Sequence, residues 1–323
     1  MKDIEYDALI MVTPEDFARL RCLHGWQVHY LSARKVFYIG SKEIEGLLEE
    51  EKQSQVYYDE DIERVGFIDE EEILPFVSVY EMMSELLSET LLKHLDNGVL
   101  PRRVAGWYYQ QFLKMIYARR CQDRYYLVWD GDTVPCYKYL MFSDALDSTK
   151  PCFDLKKEVH EPYFRTMSVL IDGLDKHIEP SFISEHMLFS TEIMKELLNS
   201  IENGMVKMGK GFWEKIIYGI YSIDPMWLFG NSFSEYESYG NYVVMKYPQM
   251  YCFRSWDSFR NGAEFFNIDT ISERDFKWLA KDFEAITFEK KHYIKPENQN
   301  IFDNPFFQER LSARKMLDEA MKS

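Results

Sequence analysis

The chain has 323 residues, which is enough for one large domain or two small ones. Hydrophobic residues make up 46% of the chain and charged residues 28%, as in soluble globular proteins. The formal net charge of -16 at pH 7 repels phosphate backbones, which argues against nucleic acid as a general partner. An anionic ligand would need a local cation or a bound metal ion to offset this charge.

The cysteines and the N-terminal segment bear on the compartment. The five cysteines are odd in number and include no C-x-x-C pair, which indicates reduced thiols rather than a disulfide framework. The segment MKDIEYDALIMVTPED carries acids where a secretion signal has bases, and no apolar run approaches the roughly 20 residues of a membrane helix. We therefore expect a cytoplasmic protein, and peripheral membrane contact stays open.

In chain order, short apolar segments alternate with segments of helical spacing. The first predicted strand, residues 7–13, leads into a helix with Thr13 as its N-cap and Pro14 at its first position. Further predicted strands cover residues 35–41, 64–75, 125–130 and 250–256. This alternation predicts an α/β fold with a largely parallel sheet, in which ligands bind at the carboxyl ends of the strands.

The remaining predicted elements are mainly helical. They cover residues 76–98, 106–120, 181–202, 211–220 and 232–248, and the segment 181–202 begins with a loop or short strand. The tail from about residue 270 is charged and has a helical pattern. We therefore predict one domain over residues 1–268 and a mainly helical C-terminal extension over residues 269–323.

Two aspartates stand at the end of the predicted strand YYLVW. Asp130 and Asp132 are separated by Gly131, which lets the backbone turn so that both side chains can approach one point. Two carboxylates about 5 Å apart repel by about 3 kcal/mol at an effective dielectric constant of about 20, and a divalent cation offsets this repulsion. A surface turn is the alternative, because Asp-Gly-Asp is common in turns. The position at a strand end favours a metal site.

The helix before this strand presents three polar or aromatic side chains on one face. Trp107, Gln111 and Lys114 are spaced by four and three residues, so an aromatic ring, an amide and an ammonium group lie together. This set suits a nucleotide-sugar, with Lys114 neutralising phosphate or pairing with Asp130. The alternative is a packed tryptophan beside a solvated lysine.

Four blocks in this order make the sequence similar to a known group of proteins. The blocks are GWYYQQFLKM, YYLVWDGDTVP, SFISEHMLF and FSEYESYGNYV. Together they resemble bacterial glycosyltransferase-like proteins that occur with genes for polysaccharide and surface-glycan biosynthesis and have the GT-A fold, a Rossmann-like, mainly parallel sheet flanked by helices. The resemblance covers roughly residues 5–260. It implies a metal-dependent, hexosyltransferase-like enzyme that moves a sugar from a nucleotide-sugar, with UDP-sugars favoured, to a glycan or lipid-linked acceptor.

The resemblance also implies residues around the donor. Asp130 and Asp132 would form the D-x-D motif, in which one aspartate, usually the second, binds Mn²⁺ or Mg²⁺. His292 would be a third metal ligand, with a structural histidine as the alternative. Thr13 would lie beside the nucleotide. Asp69 would bind the base or ribose unless it is a solvated loop acid like its neighbours.

Three further residues would act on the sugars and phosphates. Glu185 and His186 would bind hydroxyl groups of the donor or acceptor, because a buried acid and imidazole are costly unless bonded. A backbone carbonyl is the alternative partner for His186. Arg254 would reach a diphosphate or, alternatively, form a surface salt bridge.

Glu235 is the predicted catalytic base, alongside Asp132 as the metal ligand. Ser234 would cap a helix with Glu237 at the capping-box spacing, which leaves Glu235 in the first turn, where its carboxylate is stabilised. An inverting transferase needs a carboxylate to take the proton of the acceptor hydroxyl. In a retaining enzyme Glu235 would position the acceptor instead. An ordinary acid at a helix start is the structural alternative.

Two other classes of function fit the same residues. A non-catalytic nucleotide- or glycan-binding protein is the second hypothesis, since a fold does not define an activity. A nucleotidyltransferase with paired metal-binding acids is the third. A lipid-linked acceptor would place the protein at the inner face of the cytoplasmic membrane, where the aromatic segment 301–311 could make contact.

Overall fold

A mainly parallel sheet of five strands, flanked by helices, lies at the centre of the fold. The computed structural model describes residues 4–88, 91–94, 98–143, 149–294, 298 and 312–321. Numbered along the chain, the sheet strands are β1 (Asp7–Met11), β2 (Val36–Gly40), β3 (Val65–Asp69), β4 (Tyr125–Asp130) and β7 (His186–Ser190). Their order across the sheet is β3-β2-β1-β4-β7. The predicted α/β class with a mainly parallel sheet is confirmed.

Burial explains why these short segments are strands. All five residues of β7 are buried, and in β4 only the final residue, Asp130, is partly exposed. Continuous apolar runs are typical of strands that are covered by helices on both faces. β4 therefore ends at its first carboxylate, Asp130, which lies at the edge of the buried core.

The helices agree with the predicted ones in order and differ at their ends. They are α1 (Pro14–Tyr30), α2 (Glu43–Gln53), α3 (Phe76–Ser88), α4 (Arg102–Ile116), α5 (Glu161–Leu170), α6 (Thr191–Glu202), α7 (Phe212–Ile223), α8 (Glu235–Lys246), α9 (Gly262–Phe265), α10 (Glu273–Leu279) and α11 (Ala313–Ala320). Of these, α5 and α9 were not predicted, and α4 begins before the predicted residue 106. None of the described helices has the length and apolarity needed to cross a bilayer.

The chain divides into two compact units. The first comprises Met1–Leu9, Ile68–Val128 and Phe142–Arg254, and the second comprises Ile10–Phe67, Trp129–Met141 and Ser255–Ser323. The predicted division into residues 1–268 and 269–323 stays a prediction. The aromatic segment 301–311 lies outside the described residues.

Within the first unit, a two-stranded sheet joins β6 (Cys152–Leu155) to β8 (Cys252–Ser255). β8 lies inside the predicted strand 250–256. β6 was not predicted, because a run of four residues gives no readable period. The ring of Phe153 in β6 stacks on Tyr251 with 3.9 Å between ring centroids and an angle of 6°. This aromatic contact anchors the small sheet to the core of the unit.

Within the second unit, a three-stranded sheet ties the segment after Asp132 to the C-terminal part of the chain. β10 (Ala285–Thr287) pairs antiparallel with β5 (Thr133–Pro135) and parallel with β9 (Ser258–Phe259). The register sets Thr287 opposite Thr133. Apolar side chains from both ends of the unit pack around this sheet, among them Leu20, Val134, Phe276, Ile286 and Phe288. β5 and β10 are only three residues long, which is why the sequence did not show them.

Candidate active site

The turn that carries the two aspartates is tightly enclosed in the second unit. A Cβ atom on Gly131 would lie 2.6 Å from Val12 Cγ1 and 3.0 Å from the Met11 carbonyl oxygen, so no larger residue fits without a shift. The side-chain amide of Gln27 donates to the carbonyl oxygens of Gly131 and Thr133, at 3.2 and 2.8 Å. Gly131 is therefore required by the lack of space, and α1 holds the turn from the other side.

A third acid reaches Asp132 from the C-terminal part of the unit. The hydroxyls of Thr133 and Thr287 hydrogen-bond at 2.8 Å, and the Phe288 N–H donates to the Asp132 carbonyl oxygen, also at 2.8 Å. This register brings Glu289 close enough for its charge to act on the Asp132 carboxyl. Residues 132 and 289 are thus neighbours through strand pairing.

The electrostatic environment of Asp132 disfavours its negative charge. Burial, and after it the charges of Asp130 and Glu289, raise the pKa of Asp132 to about 7, and the Arg19 guanidinium acts in the opposite direction. Arg19 is already held by the Asp16 carboxylate, with two contacts of 3.1 and 3.2 Å. The protein therefore gathers more negative than positive charge at this point, which is the arrangement that a divalent cation would relieve.

Thr13 begins α1, as predicted. Its hydroxyl oxygen accepts the Asp16 N–H at 3.2 Å and donates to the Asp16 carboxylate at 3.0 Å, and Pro14 is the first residue of the helix. Thr13 is exposed and lies two residues beyond the end of β1. The predicted N-cap is confirmed, and contact with a nucleotide stays a prediction.

His292 follows β10 in the same unit and has an unsatisfied ring nitrogen. Its Nε2 lies 3.7 Å from the Glu264 carboxylate, whereas its Nδ1 is buried and has no hydrogen-bond partner among the described residues. A buried nitrogen without a partner carries a free-energy cost unless a ligand binds it. This atom has the chemistry expected of a metal ligand.

The three predicted metal ligands do not form a closed cluster. Across the described ranges, the group of three ligand atoms that lie within 4.8 Å of one another belongs to His29, Glu60 and Asp61. In that group Asp61 already forms a salt bridge with Arg64 and a 2.9 Å contact with His29, so ordinary ion pairs account for it. Asp130, Asp132 and His292 would have to draw together to share one cation.

In the first unit, Lys114 and Glu235 form a buried ion pair. Lys114 Nζ lies 2.8 Å from Glu235 Oε1, and both side chains are 4% exposed. The same ammonium group donates to the Tyr236 hydroxyl at 3.1 Å. The Gln111 side chain accepts the backbone N–H of Glu235 at 3.1 Å. Two residues of the predicted α4 face, Gln111 and Lys114, therefore hold the start of α8.

Trp107, the third residue of that face, packs on aromatic neighbours. Its ring meets Tyr108 edge-on, with centroids 4.9 Å apart, and stacks on Tyr163 of α5 at 6.5 Å and 14°. The tryptophan is half-buried. This packing matches the structural alternative for Trp107, and a role in donor binding stays a prediction.

Only one of the two hydrogen bonds of the predicted capping box forms at the start of α8. Ser234 accepts the Glu237 N–H at 3.2 Å and is the N-cap. The Glu237 carboxylate, however, accepts from the Ser181 hydroxyl at 2.6 Å, the Phe182 N–H at 3.2 Å and the Asn241 amide at 3.0 Å. Glu237 therefore ties the segment before β7 to α8 instead of closing a capping box.

Asp69 ends β3 and caps the turn that follows. Its carboxylate accepts the Glu71 N–H at 3.0 Å, which starts a short helical turn over Glu70–Glu72. The predicted strand 64–75 is therefore too long, because this cap turns the chain after residue 69. Burial, and after it the charge of Glu71, raise the pKa of Glu70 to about 7, and Arg102 opposes them.

Glu70→Gln is expected to change how stability depends on pH. Because the pKa of Glu70 is raised from 4.5 to about 7 in the fold, its contribution to stability is full below pH 4.5 and is lost as the pH rises to about 7. At pH 8 the variant should be more stable by about 1 to 2 kcal/mol, after allowance for solvent screening. Urea unfolding at pH 5 and pH 8 measures this, with the exposed Glu72→Gln as control. Equal pH profiles for Glu70→Gln and the unmodified chain would contradict the assignment.

Glu185 adopts a backbone conformation that is rare outside glycine. Its φ of 59° lies in the left-handed region, where a residue with a side chain costs about 1–3 kcal/mol. The side chain is buried and forms an ion pair with Lys156. Residues held in this way occur preferentially at binding and catalytic sites. The predicted contact of Glu185 with a sugar stays a prediction.

His186 and Arg254 meet on a buried aspartate that was not predicted. Asp154 accepts from Arg254 Nε and Nη2, both at 2.9 Å, and lies 2.9 Å from His186 Nε2. Burial alone would raise the pKa of Asp154, but the hydrogen bonds and charges of His186 and Arg254 hold it below its ordinary value. His186 Nδ1 donates to the Ser184 carbonyl oxygen at 2.7 Å. To bind the His186 ring, a sugar hydroxyl would have to displace either the Ser184 carbonyl oxygen from Nδ1 or the Asp154 carboxylate from Nε2.

Four charged residues of these clusters were missed in the sequence. Arg19 could have been found from its spacing of three residues from Asp16 on α1, and Asp154 from its place in the apolar run CFDL. Glu289 and Lys156 give no local signal in the sequence. Their partners, Asp132 and Glu185, lie elsewhere in the chain and come close to them only in the folded protein. Their positions depend on tertiary structure alone.

The fold and these side chains define an α/β protein with a carboxylate pair at the carboxyl end of a sheet strand. Residues 17–303 match the model of a family described as a family of unknown function, DUF6492, and the chain belongs to this family. No curated protein matches the chain.

Three solved glycosyltransferases are similar to the chain at low identity. WbbM, a bifunctional glycosyltransferase in its apo form, is 12% identical with a TM-score of 0.43, and the match covers 98% of this chain and 52% of WbbM. The galactosyltransferase LgtC, in complex with donor and acceptor sugar analogs, is 12% identical with a TM-score of 0.38, covering 98% of this chain and 95% of LgtC. PaToxG glycosyltransferase is 9% identical with a TM-score of 0.34, covering 76% and 70%. The chain thus spans about half the length of WbbM.

Proposed function

We propose that the chain is a metal-dependent glycosyltransferase of the GT-A type, which transfers a hexose from a UDP-sugar to a glycan or lipid-linked acceptor in surface polysaccharide synthesis. One observation carries the proposal: Asp130 and Asp132 end a buried strand, and Glu289 adds a third negative charge beside Asp132. Buried acids are normally balanced by cations, and here Asp130 and Glu289 act on Asp132 against the opposing charge of Arg19. A bound Mn²⁺ or Mg²⁺ ion would supply positive charge that balances these carboxylates.

The residues present fit such a cation. Carboxylate oxygens of Asp130 and Asp132 are the ligands that Mg²⁺ and Mn²⁺ prefer, and the buried Nδ1 of His292 lacks a partner among the described residues. A bound cation would stabilise the negative charge of a leaving diphosphate. Our candidates for donor binding are Thr13 in the second unit and Asp69, Arg254 and the α4 face in the first. We propose a cytoplasmic protein, which a lipid-linked acceptor would bring to the inner face of the membrane.

Glu235 is proposed as the general base, with Glu185 and His186 on the sugar side. Its carboxylate lies 2.8 Å from Lys114 Nζ, and a carboxylate is the group that can accept a proton from an acceptor hydroxyl. The same ion pair favours the second candidate function. If Lys114 and Glu235 only hold α8 in place, the chain fits a non-catalytic nucleotide- or glycan-binding protein.

Metal-dependent nucleotide binding tests the proposal. We expect UDP with Mn²⁺ to raise the melting temperature by about 4 °C at 100 times the dissociation constant, and UDP with EDTA to leave it unchanged. GDP and CMP with Mn²⁺ serve as the matched nucleotide controls. Release of UDP from UDP-hexoses then separates an enzyme from a binding protein. A shift with no dependence on metal, or no shift with any nucleotide, would overturn the metal-dependent transferase.

A further inference from the structure

β6 and β8 place two cysteine thiols side by side in the first unit. The Sγ atoms of Cys152 and Cys252 are 2.6 Å apart, and the backbone N–H of Cys252 donates to the Pro151 carbonyl oxygen at 2.9 Å. Neighbouring strands lie about 4.7–4.9 Å apart, which is within the Cα separation of about 4.4–6.8 Å that a disulfide spans. Paired residues on neighbouring strands therefore have the backbone spacing that a covalent link needs.

The contacts of the next residues along β6 and β8 show that strand pairing aligns the two thiols. Phe153 and Phe253 stack with centroids 6.4 Å apart, and Asp154 and Arg254 form a two-bond ion pair. Three successive residue pairs therefore face each other, and alternation puts the thiols on the same face as the ion pair. A one-residue slip would break all three contacts, so the sulfurs stay adjacent.

We propose that Cys152 and Cys252 form a reversible disulfide when the protein meets a peroxide. Cys252 is half-buried, whereas Cys152 is 1% exposed. The Cys252 thiolate would attack one oxygen of hydrogen peroxide and become a sulfenic acid, and the O–O bond would break to release hydroxide, which takes up the proton lost by the thiol to form water. The Cys152 sulfur would then attack the sulfenic sulfur, which forms the S–S bond and releases a second water. Two thiols are oxidised, and one peroxide is reduced.

The link would join parts of the chain that lie far apart in sequence. Residues 152 and 252 are separated by 100 positions, and a disulfide that closes so long a loop removes much conformational freedom from the unfolded chain. It would also fix the strands that carry Asp154 and Arg254. The separation explains why the odd cysteine count and the missing C-x-x-C pattern gave no sign of a pair.

Peptide mapping of oxidised protein tests the link. The Cys22→Ser background removes an exposed thiol that could join two chains. After hydrogen peroxide treatment we expect a peptide that joins residues 152 and 252, loss of two free thiols, and a melting temperature raised by several degrees, all reversed by dithiothreitol. Cys252→Ser should abolish each change, and Cys136→Ser should leave them intact.

Two results would overturn the proposal. One is a peroxide dose that oxidises Cys252 to a sulfinic acid without any joined peptide. The other is an unchanged count of free thiols in the Cys22→Ser protein at doses that oxidise the exposed Cys22 of the unmodified chain. Neither result depends on whether the Cys252→Ser variant folds.

Discussion

Asp132→Asn is expected to lower the rate of UDP-hexose turnover by about 10³-fold and to leave the fold intact. The carboxylate would hold the cation that stabilises the leaving group, and losing one such stabilising group costs about 10²–10³-fold or more in rate. The carbonyl of Asp132, which accepts the Phe288 N–H, is a backbone group and is unchanged by the substitution. Initial rates at saturating donor and Mn²⁺ measure the effect.

The same variant should gain stability while it loses activity. The charge of Asp132 is unfavourable in the fold, as its raised pKa of about 7 shows, so a neutral amide should stabilise the metal-free protein at pH 8 by about 1 to 3 kcal/mol. Asp59→Asn, an exposed acid of the same unit, is the matched control and should change neither quantity. Full turnover in Asp132→Asn would remove the D-x-D assignment, whatever the stability.

Lys114→Met is expected to lower the free energy of unfolding by about 3–5 kcal/mol. The substitution removes the ammonium group that lies 2.8 Å from the buried Glu235 carboxylate, and breaking a buried ion pair by removing one partner is among the most destabilising single changes. Lys195→Met breaks the exposed pair with Glu192 and should cost no more than about 0.5 kcal/mol. Urea unfolding at pH 7 compares the two lysines.

The double variant Lys114→Met/Glu235→Gln separates the structural role of Glu235 from a catalytic one. Removing both charges should restore most of the lost stability, because the neutral pair no longer carries an unbalanced charge. If Glu235 is the base, the restored protein should still turn over about 10²–10⁴-fold more slowly. A double variant that is both stable and fully active would make the ion pair purely structural. One that stays as unstable as Lys114→Met would contradict the buried pair itself.

Most of the main sheet could be predicted because β1, β2, β4 and β7 are mainly buried runs, whereas only two of the five residues of β3 are buried. The segments YYLVW and DALIM are too apolar to lie on the surface of a protein with so high a net charge. Thr13-Pro14 marks the start of the next helix, because the Thr13 hydroxyl accepts the Asp16 N–H. The short strands β5, β6, β9 and β10 could not be predicted, because two to four residues show no alternation. They form only because partners from elsewhere in the chain supply their hydrogen bonds.

The site could be predicted in part, for the same physical reason. Asp130 and Asp132 stand out locally, since two carboxylates directly follow a buried strand. Lys114 also looked important, but its partner Glu235 lies 121 residues away and follows no spacing rule. Asp154 contacts His186 and Arg254, which lie 32 and 100 residues further along the chain. Pairings of this kind are properties of the packed chain, and a single sequence contains no local sign of them.

The pairing of Thr133 with Thr287 also constrains the order in which parts of the protein can fold during synthesis. The two residues are 154 positions apart, so during synthesis the motif-bearing turn emerges long before the strand that completes its sheet. Chains generally begin to fold from the N-terminal side as they are made. A ribosome-bound chain that has not yet released residues 285–289 carries both aspartates without β10 and without Glu289. The nascent protein should therefore acquire this group of three acids late, only after residues 285–289 have left the ribosome.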